Sequence, residues 1–178
     1  RVQPVAFMSN VLPQDGPVIR DLYYIEKEFN GVFPFEIVID TKKPRGVLRL
    51  STLRRLDRLQ DSLSQYDDIS RSLSVADFSK FFRQSFFTGQ AEDYDLPSRN
   101  ELSFIGEYLQ NSGLDNQLSL SRSLVDSAQQ VTRITASVRD IGSLKLDILS
   151  DSIQKDLDEI FPPDKFDTSI TGTTRIFV

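Results

Sequence analysis

The sequence predicts an α+β domain in which helices cover an antiparallel sheet. Three observations support this fold class. Apolar and polar residues alternate in short stretches such as Phe33 to Asp40, which is the period of a β-strand. Other stretches repeat apolar residues every three or four positions, which is the period of a helix. Both kinds of stretch are interspersed along 178 residues, a length that suits a single domain with a sizeable core.

The composition excludes several kinds of chemistry. Without cysteine or histidine, the chain has no thiol nucleophile, no Ser-His-Asp triad and no Cys/His zinc site. Its net charge of −5 disfavours a nucleic-acid partner. The acidic run at Glu92, Asp93 and Asp95 lacks the glycine and closing glutamate of an EF-hand. Catalysis by paired carboxylates stays open in principle, but we expect no enzyme activity, no cofactor and no metal site.

An N-terminal helix and a strand open the predicted fold. Pro17 suits the first position of a helix, and Asn30-Gly31 suits its end. In the strand that follows, Pro34 predicts an edge strand or a first strand position, because proline cannot donate to a ladder. The apolar stripe of the helix consists of Val18, Leu22, Ile25 and Phe29.

A second helix and a second strand follow. The strand is predicted around 68–74, where Ile69, Arg71 and Leu73 alternate with serines. The arginines of the helix are interpreted as a solvated face. Its leucine stripe, which predicts its buried side, consists of Leu53, Leu56, Leu59 and Leu63.

The next stretch is predicted to be a helical insertion. Ser74 and Asp77 form a capping box that begins one helix, and Ser98 and Glu101 form another. We interpret the wide aromatic arc of the first helix as core, with a surface for an apolar ligand or partner as the alternative. This arc consists of Phe78, Phe81, Phe82, Phe86 and Phe87.

A strand, a helix and a last strand complete the chain. Ile134, Ala136 and Val138 alternate in the first of these, a helix begins at Gly142-Ser143, and the final strand is predicted around Phe166 to Ile170. The order is that of a ferredoxin-like, split βαβ sheet with a helical insertion and an N-terminal helix. The single domain, 1–178, is therefore divided into an N-terminal segment and helix (1–31), a first βαβ half (32–74), the insertion (75–123) and a second βαβ half (124–178).

Seven short stretches together resemble the extracytoplasmic, porter-type loop domain of exporters of the resistance–nodulation–division superfamily, in its MMPL-type, Patched-like branch. They are LPQDGP at 12–17, IEKEFNG at 25–31, PFEI at 34–37, the leucine helix with Gln60 at 53–63, SVADF at 74–78, YDLPS at 94–98 and ITGT at 170–173. Asn30 replaces the first glycine of the family's Gly-Gly pair, and asparagine also suits a helix end. The stretches follow the family's order over nearly the whole chain.

The resemblance implies a role in transport on the extracytoplasmic (periplasmic) side of the cytoplasmic membrane. These exporters have two large loops, each between the first and second transmembrane helices of one half, and they usually draw on the proton gradient. The domain would guide or gate the passage of a hydrophobic or lipid-like substrate by moving against its sister domain. The implied partners are the sister loop domain, the transmembrane helices of the parent chain, and a hydrophobic small molecule or lipid. The PFEI strand and the insertion are more typical of the second loop.

The candidate contact residues for the substrate or the sister domain are aromatic. They are Phe81, Phe82, Phe86, Phe87 and Tyr94. Because the sequence begins at Arg1 and not at methionine, we expect a piece of a longer chain. In isolation such a loop domain should be mainly monomeric, because the neighbours against which it normally packs are missing. The alternative is a free-standing binding or scaffold module at the cell surface or in the periplasm, without catalysis. Hydrophobic flanks in the parent gene would distinguish the two.

Overall fold

An antiparallel sheet forms the centre of the fold. In the computed structural model, which describes residues 7–13, 15–87, 89–101 and 123–172, β1 lies between β2 and β3 and pairs antiparallel with both. The predicted α+β fold class is therefore confirmed. The strands are β1 (Phe33–Asp40), β2 (Val131–Val138) and β3 (Asp167–Thr171).

Helices lie before and between the strands along the chain. They are α1 (Pro17–Phe29), α2 (Leu50–Leu63), α3 (Val75–Phe86) and α4 (Ser143–Ile160). Phe35, Ile37 and Ile39 of β1 are fully buried, whereas Glu36 and Val38 on the opposite face are half-buried. The predicted leucine stripe of α2 is buried against this face, together with the apolar side of α4. The core therefore lies between the sheet and the pair α2 and α4.

Pro34 lies in a part of β1 that is paired with only one neighbouring strand. Since β1 is central, the prediction of an edge strand is wrong. Pro34 is the second residue of β1 and pairs with Ser137 of β2, whereas the pairing with β3 begins only at Glu36, opposite Thr171. Proline is tolerated here because this end of β1 extends past β3.

The segment predicted as a strand around 68–74 contacts β2 without forming a regular strand. Ile69 and Leu73 form isolated bridges with Val138 and Thr135, along the side of β2 that faces away from β1. Between these bridges the Ser137 N–H donates to the Ser70 hydroxyl at 2.8 Å and not to a backbone carbonyl. A serine side chain that takes the place of a backbone partner interrupts the ladder, so this segment does not form a regular strand.

Helix α1 begins at Pro17 and ends at Phe29, and Asn30, which caps it, is left-handed with φ 56°. Its predicted apolar stripe does not face the core, and Phe29 is 67% exposed. Polar contacts orient the helix. Asn30 donates to the carbonyl oxygens of Asp67 and Ile69 at 3.0 and 3.1 Å, and Glu26 accepts from the Asp140 N–H at 3.1 Å. These anchors turn the stripe towards solvent.

A matched pair of substitutions in β1 tests this assignment of faces. Ile37→Ala removes a fully buried side chain, and we expect the free energy of unfolding to fall by about 2–5 kcal/mol. Val38→Ala acts on the half-buried, opposite face, and the loss there should be about 1 kcal/mol or less. Urea denaturation of both variants measures the difference. Equal losses would contradict the assignment.

Candidate functional site

Helix α3 positions most of the predicted contact residues. Its start is fixed by the predicted capping box, which is confirmed. The Ser74 hydroxyl accepts from the Ala76 N–H at 3.0 Å, and the Asp77 carboxylate accepts from the Ser74 N–H at 2.8 Å. The buried residues of α3 are Val75 and Ala76 in its first turn. In the rest of the helix no residue is fully buried: Phe78 and Phe82 are half-buried, and the other aromatic side chains are exposed.

Three phenylalanines in the second half of α3 and directly after it are exposed. Phe81 is 51% exposed, Phe86 42% and Phe87 45%, and these three residues are called the aromatic surface below. The interpretation of the cluster as core is wrong for them. Phe82 is half-buried, with its ring centroid 6.0 Å from that of Phe81. Their exposure makes these rings candidates for a contact site.

The rings at the end of α3 are held in place. Phe86 and Phe87 meet edge to face, with centroids 5.3 Å apart. The Arg83 guanidinium lies 5.4 Å from the centroid of Phe87 and donates to the Asp93 carbonyl oxygen at 2.9 Å. A cation over a ring face is an attractive arrangement. Arg83 therefore connects the aromatic surface to the loop that follows α3.

The second predicted capping box continues this connection. Glu101 accepts from the Ser98 N–H at 2.6 Å and lies 3.4 Å from Arg83 Nε. The bond from the Ser98 backbone, together with the Ser98 hydroxyl and Arg83, lowers the pKa of Glu101 although desolvation opposes it. The box is confirmed, whereas the remainder of the predicted helix lies outside the described residues. The ion pair between Glu101 and Arg83 thus connects the stretch after α3 to that helix.

The side chain of Tyr94, unlike those of the phenylalanines, forms a hydrogen bond. Its hydroxyl donates to Asp77 Oδ1 at 3.3 Å, and Lys80 Nζ lies 5.8 Å from its ring centroid. Burial raises the pKa of Tyr94, and the nearby charge and hydrogen bond of Asp77 raise it further. Tyr94, one of the five predicted contact residues, therefore lies in a polar environment.

That environment is a cavity of about 370 Å³ between α2, the 69–73 segment and α3. Lys80 Nζ pairs with Asp57 Oδ1 at 2.5 Å inside it. Burial by itself lowers the pKa of Lys80, but the hydrogen bond and charge of Asp57, with Asp77 and Tyr94, raise it overall. A lysine held protonated in this way is a poor nucleophile. The cavity is suited to holding polar groups.

Gln60 is the residue at the centre of this polar network. Its Nε2 donates to the Ser72 carbonyl oxygen at 3.1 Å and to Asp77 Oδ2 at 2.7 Å. Its Oε1 accepts from the Ser74 hydroxyl at 2.7 Å. From the sequence, Gln60 has no predicted role beyond its place in the leucine helix. The sequence contained one signal for this role. Gln60 is a polar residue directly after Leu59 of the leucine stripe, and the capping box at Ser74 follows later in the chain.

The acidic run before Tyr94 has local partners. Asp93 lies 3.9 Å from Arg83 Nη1, and Asp95 accepts from the Leu96 N–H at 2.7 Å. Within the described residues, no three acidic side chains are grouped so as to hold a metal ion. In the described structure, the cation that contacts this acidic run is therefore Arg83.

Replacing Gln60 tests the role of the polar network. Gln60→Leu leaves the Ser72 carbonyl, Ser74 and Asp77 each without one partner, and we expect the free energy of unfolding to fall by about 1–3 kcal/mol. Gln65→Leu is the control, since Gln65 is exposed near the end of α2, and its effect should stay within about 0.5 kcal/mol. Thermal and urea denaturation measure both. A Gln60 variant as stable as the control would contradict this role.

Comparison with known proteins adds no family to these observations. Neither the protein-family models nor the curated proteins contain a match to the sequence. In the described ranges, every helix is too short or too polar to cross a bilayer. The aromatic surface and the polar cavity beside it are therefore the features from which a function has to be inferred.

Proposed function

We propose that this chain is an extracytoplasmic loop domain of an exporter of the resistance–nodulation–division superfamily, in the MMPL-type, Patched-like branch. The domain guides or gates the passage of a hydrophobic or lipid-like substrate, and the aromatic surface is its contact site. The observation that carries the proposal is the exposure of Phe81, Phe86 and Phe87 beside a core that is complete without them. Exposed rings of this kind suit an apolar substrate or a sister domain.

The residues of the family-like stretches support the proposal through their structural roles. Asn30 ends α1 in the left-handed conformation that the family's glycine would adopt. Gly172, in the ITGT stretch, has φ +120°, and a Cβ there would lie 2.4 Å from the Pro34 carbonyl oxygen. Glycine is therefore required where β3 ends beside the PFEI strand. These two stretches, far apart in sequence, meet in space.

The arrangement of the sheet supports the finer fold proposal. The 69–73 segment lies beside β2, β2 beside β1, and β1 beside β3. With that segment counted as an irregular fourth strand, this is the spatial order of a ferredoxin-like, split βαβ sheet. We include the ferredoxin-like order in the proposal on this basis.

In the proposed mechanism the domain moves as one body. Sheet, α2 and α4 share one buried cluster, and the Gln60 network binds the start of α3 to α2. A shift of the domain against its sister domain would carry the aromatic surface with it and open or close a path for the substrate. The proton-driven step belongs to the transmembrane helices of the parent chain.

The first test is the sequence of the parent gene on both sides of this chain. The proposal predicts an apolar span of about 18 or more residues on each side. Polar flanks on both sides would overturn the transporter and favour the alternative, a free-standing binding or scaffold module outside the cytoplasm.

The second test addresses the aromatic surface itself. The chain should bind the apolar dye N-phenylnaphthylamine, and Phe81→Ser with Phe86→Ser should weaken binding by about fivefold or more, equivalent to about 1 kcal/mol. The control replaces Tyr23 and Tyr24, two exposed aromatic residues of α1, by serine. Fluorescence titration measures binding, and circular dichroism measures the melting temperature of each variant.

Two outcomes would count against this contact site. Equal weakening in both double variants would show that the dye adsorbs to any exposed ring. A large drop in melting temperature for the Phe81 and Phe86 variant alone would show that these rings stabilise the fold, so the contact role would lose its support.

A further inference from the structure

Cationic residues are concentrated in one stretch of the chain. Six of the chain's 21 lysines and arginines, and none of its 26 acidic residues, lie between positions 41 and 56. The remainder of the chain holds 15 cations against 26 acidic residues. This stretch joins β1 to α2 and includes the first turns of α2. A positive stretch in a negative chain favours a specific, oriented electrostatic contact.

The loop that carries these cations is held rigidly. The Thr41 hydroxyl lies 3.0 Å from the Lys43 carbonyl oxygen and 2.9 Å from that of Gln130. Gly46 packs so closely that a Cβ would lie 2.1 Å from Thr41 Oγ1. Arg45 and Val47 donate backbone bonds to Ala128 and Gln129, both at 3.0 Å. A loop that is already ordered loses little conformational entropy when it binds a partner.

Four of the cationic side chains are exposed and unneutralised. Among the described residues, no acceptor contacts the side chains of Lys43, Arg45, Arg49 and Arg54, which we call the basic end. Two carboxylates beside the loop have other partners. Asp40 Oδ1 accepts from the Lys42 N–H at 2.6 Å and from Gln130 Nε2 at 2.9 Å, and Asp167 Oδ1 pairs with Lys42 Nζ at 2.8 Å. The positive charge of the basic end is therefore available to a partner.

An apolar residue lies within the basic end. Leu48 is 41% exposed and stands directly before Arg49 in the chain. Pro44, between Lys43 and Arg45, is exposed as well. Protein interfaces typically have an apolar centre with a charged rim, and arginine is enriched in them. The basic end has this composition.

We propose that the basic end is a docking surface for an acidic segment of another protein, with an apolar side chain of that segment against Leu48. A long polyanion such as a nucleic acid would extend over the negative remainder of the chain and be repelled, whereas a short acidic segment fits within the basic end. The basic end shares no residue with the aromatic surface formed by Phe81, Phe86 and Phe87. The docking role therefore does not depend on the proposed transport role.

The test uses a fluorescein-labelled peptide of glutamates around a central leucine, with fluorescence anisotropy as the readout. Binding should weaken by about tenfold or more between about 50 and 200 mM NaCl, because charge attraction is screened. Lys43→Glu with Arg49→Glu should weaken it by about tenfold or more at low salt. The matched control is Lys145→Glu with Lys155→Glu, which changes the net charge equally at exposed positions of α4 and should alter affinity by less than about twofold.

Leu48→Ser separates the apolar contribution from the charges. It should weaken binding by about threefold or more and leave the salt dependence unchanged, since that dependence reports the number of charges. Circular dichroism confirms that each variant is folded. An equal loss in the two charge-reversal variants, or no peptide binding at low salt, would overturn the proposal. So would tighter binding to single-stranded oligothymidine or to phosphatidylglycerol vesicles than to the peptide.

Discussion

The pairing of β1 with a strand on each side is the constraint on which the rest of the structure depends. Side chains of a strand alternate between faces, so the two registers together place Phe35, Ile37 and Ile39 on one side of the sheet. A shift of one residue would expose all three and bury Glu36. Burial of apolar area by α2 and α4 selects the observed register, and the loops at both ends of β1 take their positions from it.

Sequence periodicity was sufficient to predict those elements whose apolar face is also the face that is buried. β1, the leucine side of α2 and α4 follow directly from periods of two and 3.6. A period says which side chains share a face but not whether another element covers that face. The stripe of α1 became exposed because Glu26 and Asn30 anchor the helix. The 68–74 prediction failed because the hydroxyl of Ser70 interrupts the ladder.

The candidate site was visible in the sequence only in part. The aromatic residues of α3 stand out by composition, yet their exposure depends on which helices lie nearby. The bond between Gln60 and Asp77 joins two helices across 17 positions, and no local pattern reports such a contact. Tyr94 was assigned to the aromatic group because it is aromatic, whereas its hydroxyl places it with Asp77. Tertiary contacts of polar groups are the part that sequence patterns do not encode.

The way the loop after β1 is anchored has an evolutionary consequence. Thr41, Gly46 and backbone amides hold its shape, and the side chains of Lys43, Arg45 and Arg49 take no part in that support within the described structure. Substitutions at Lys43 and Arg49 are therefore free to accumulate with little effect on stability, whereas Arg45, with φ 58°, accepts only residues that tolerate the left-handed conformation. The charge of this end can drift, or be selected anew, while the scaffold stays constant. Recognition and folding are in this way assigned to different atoms of the same short loop.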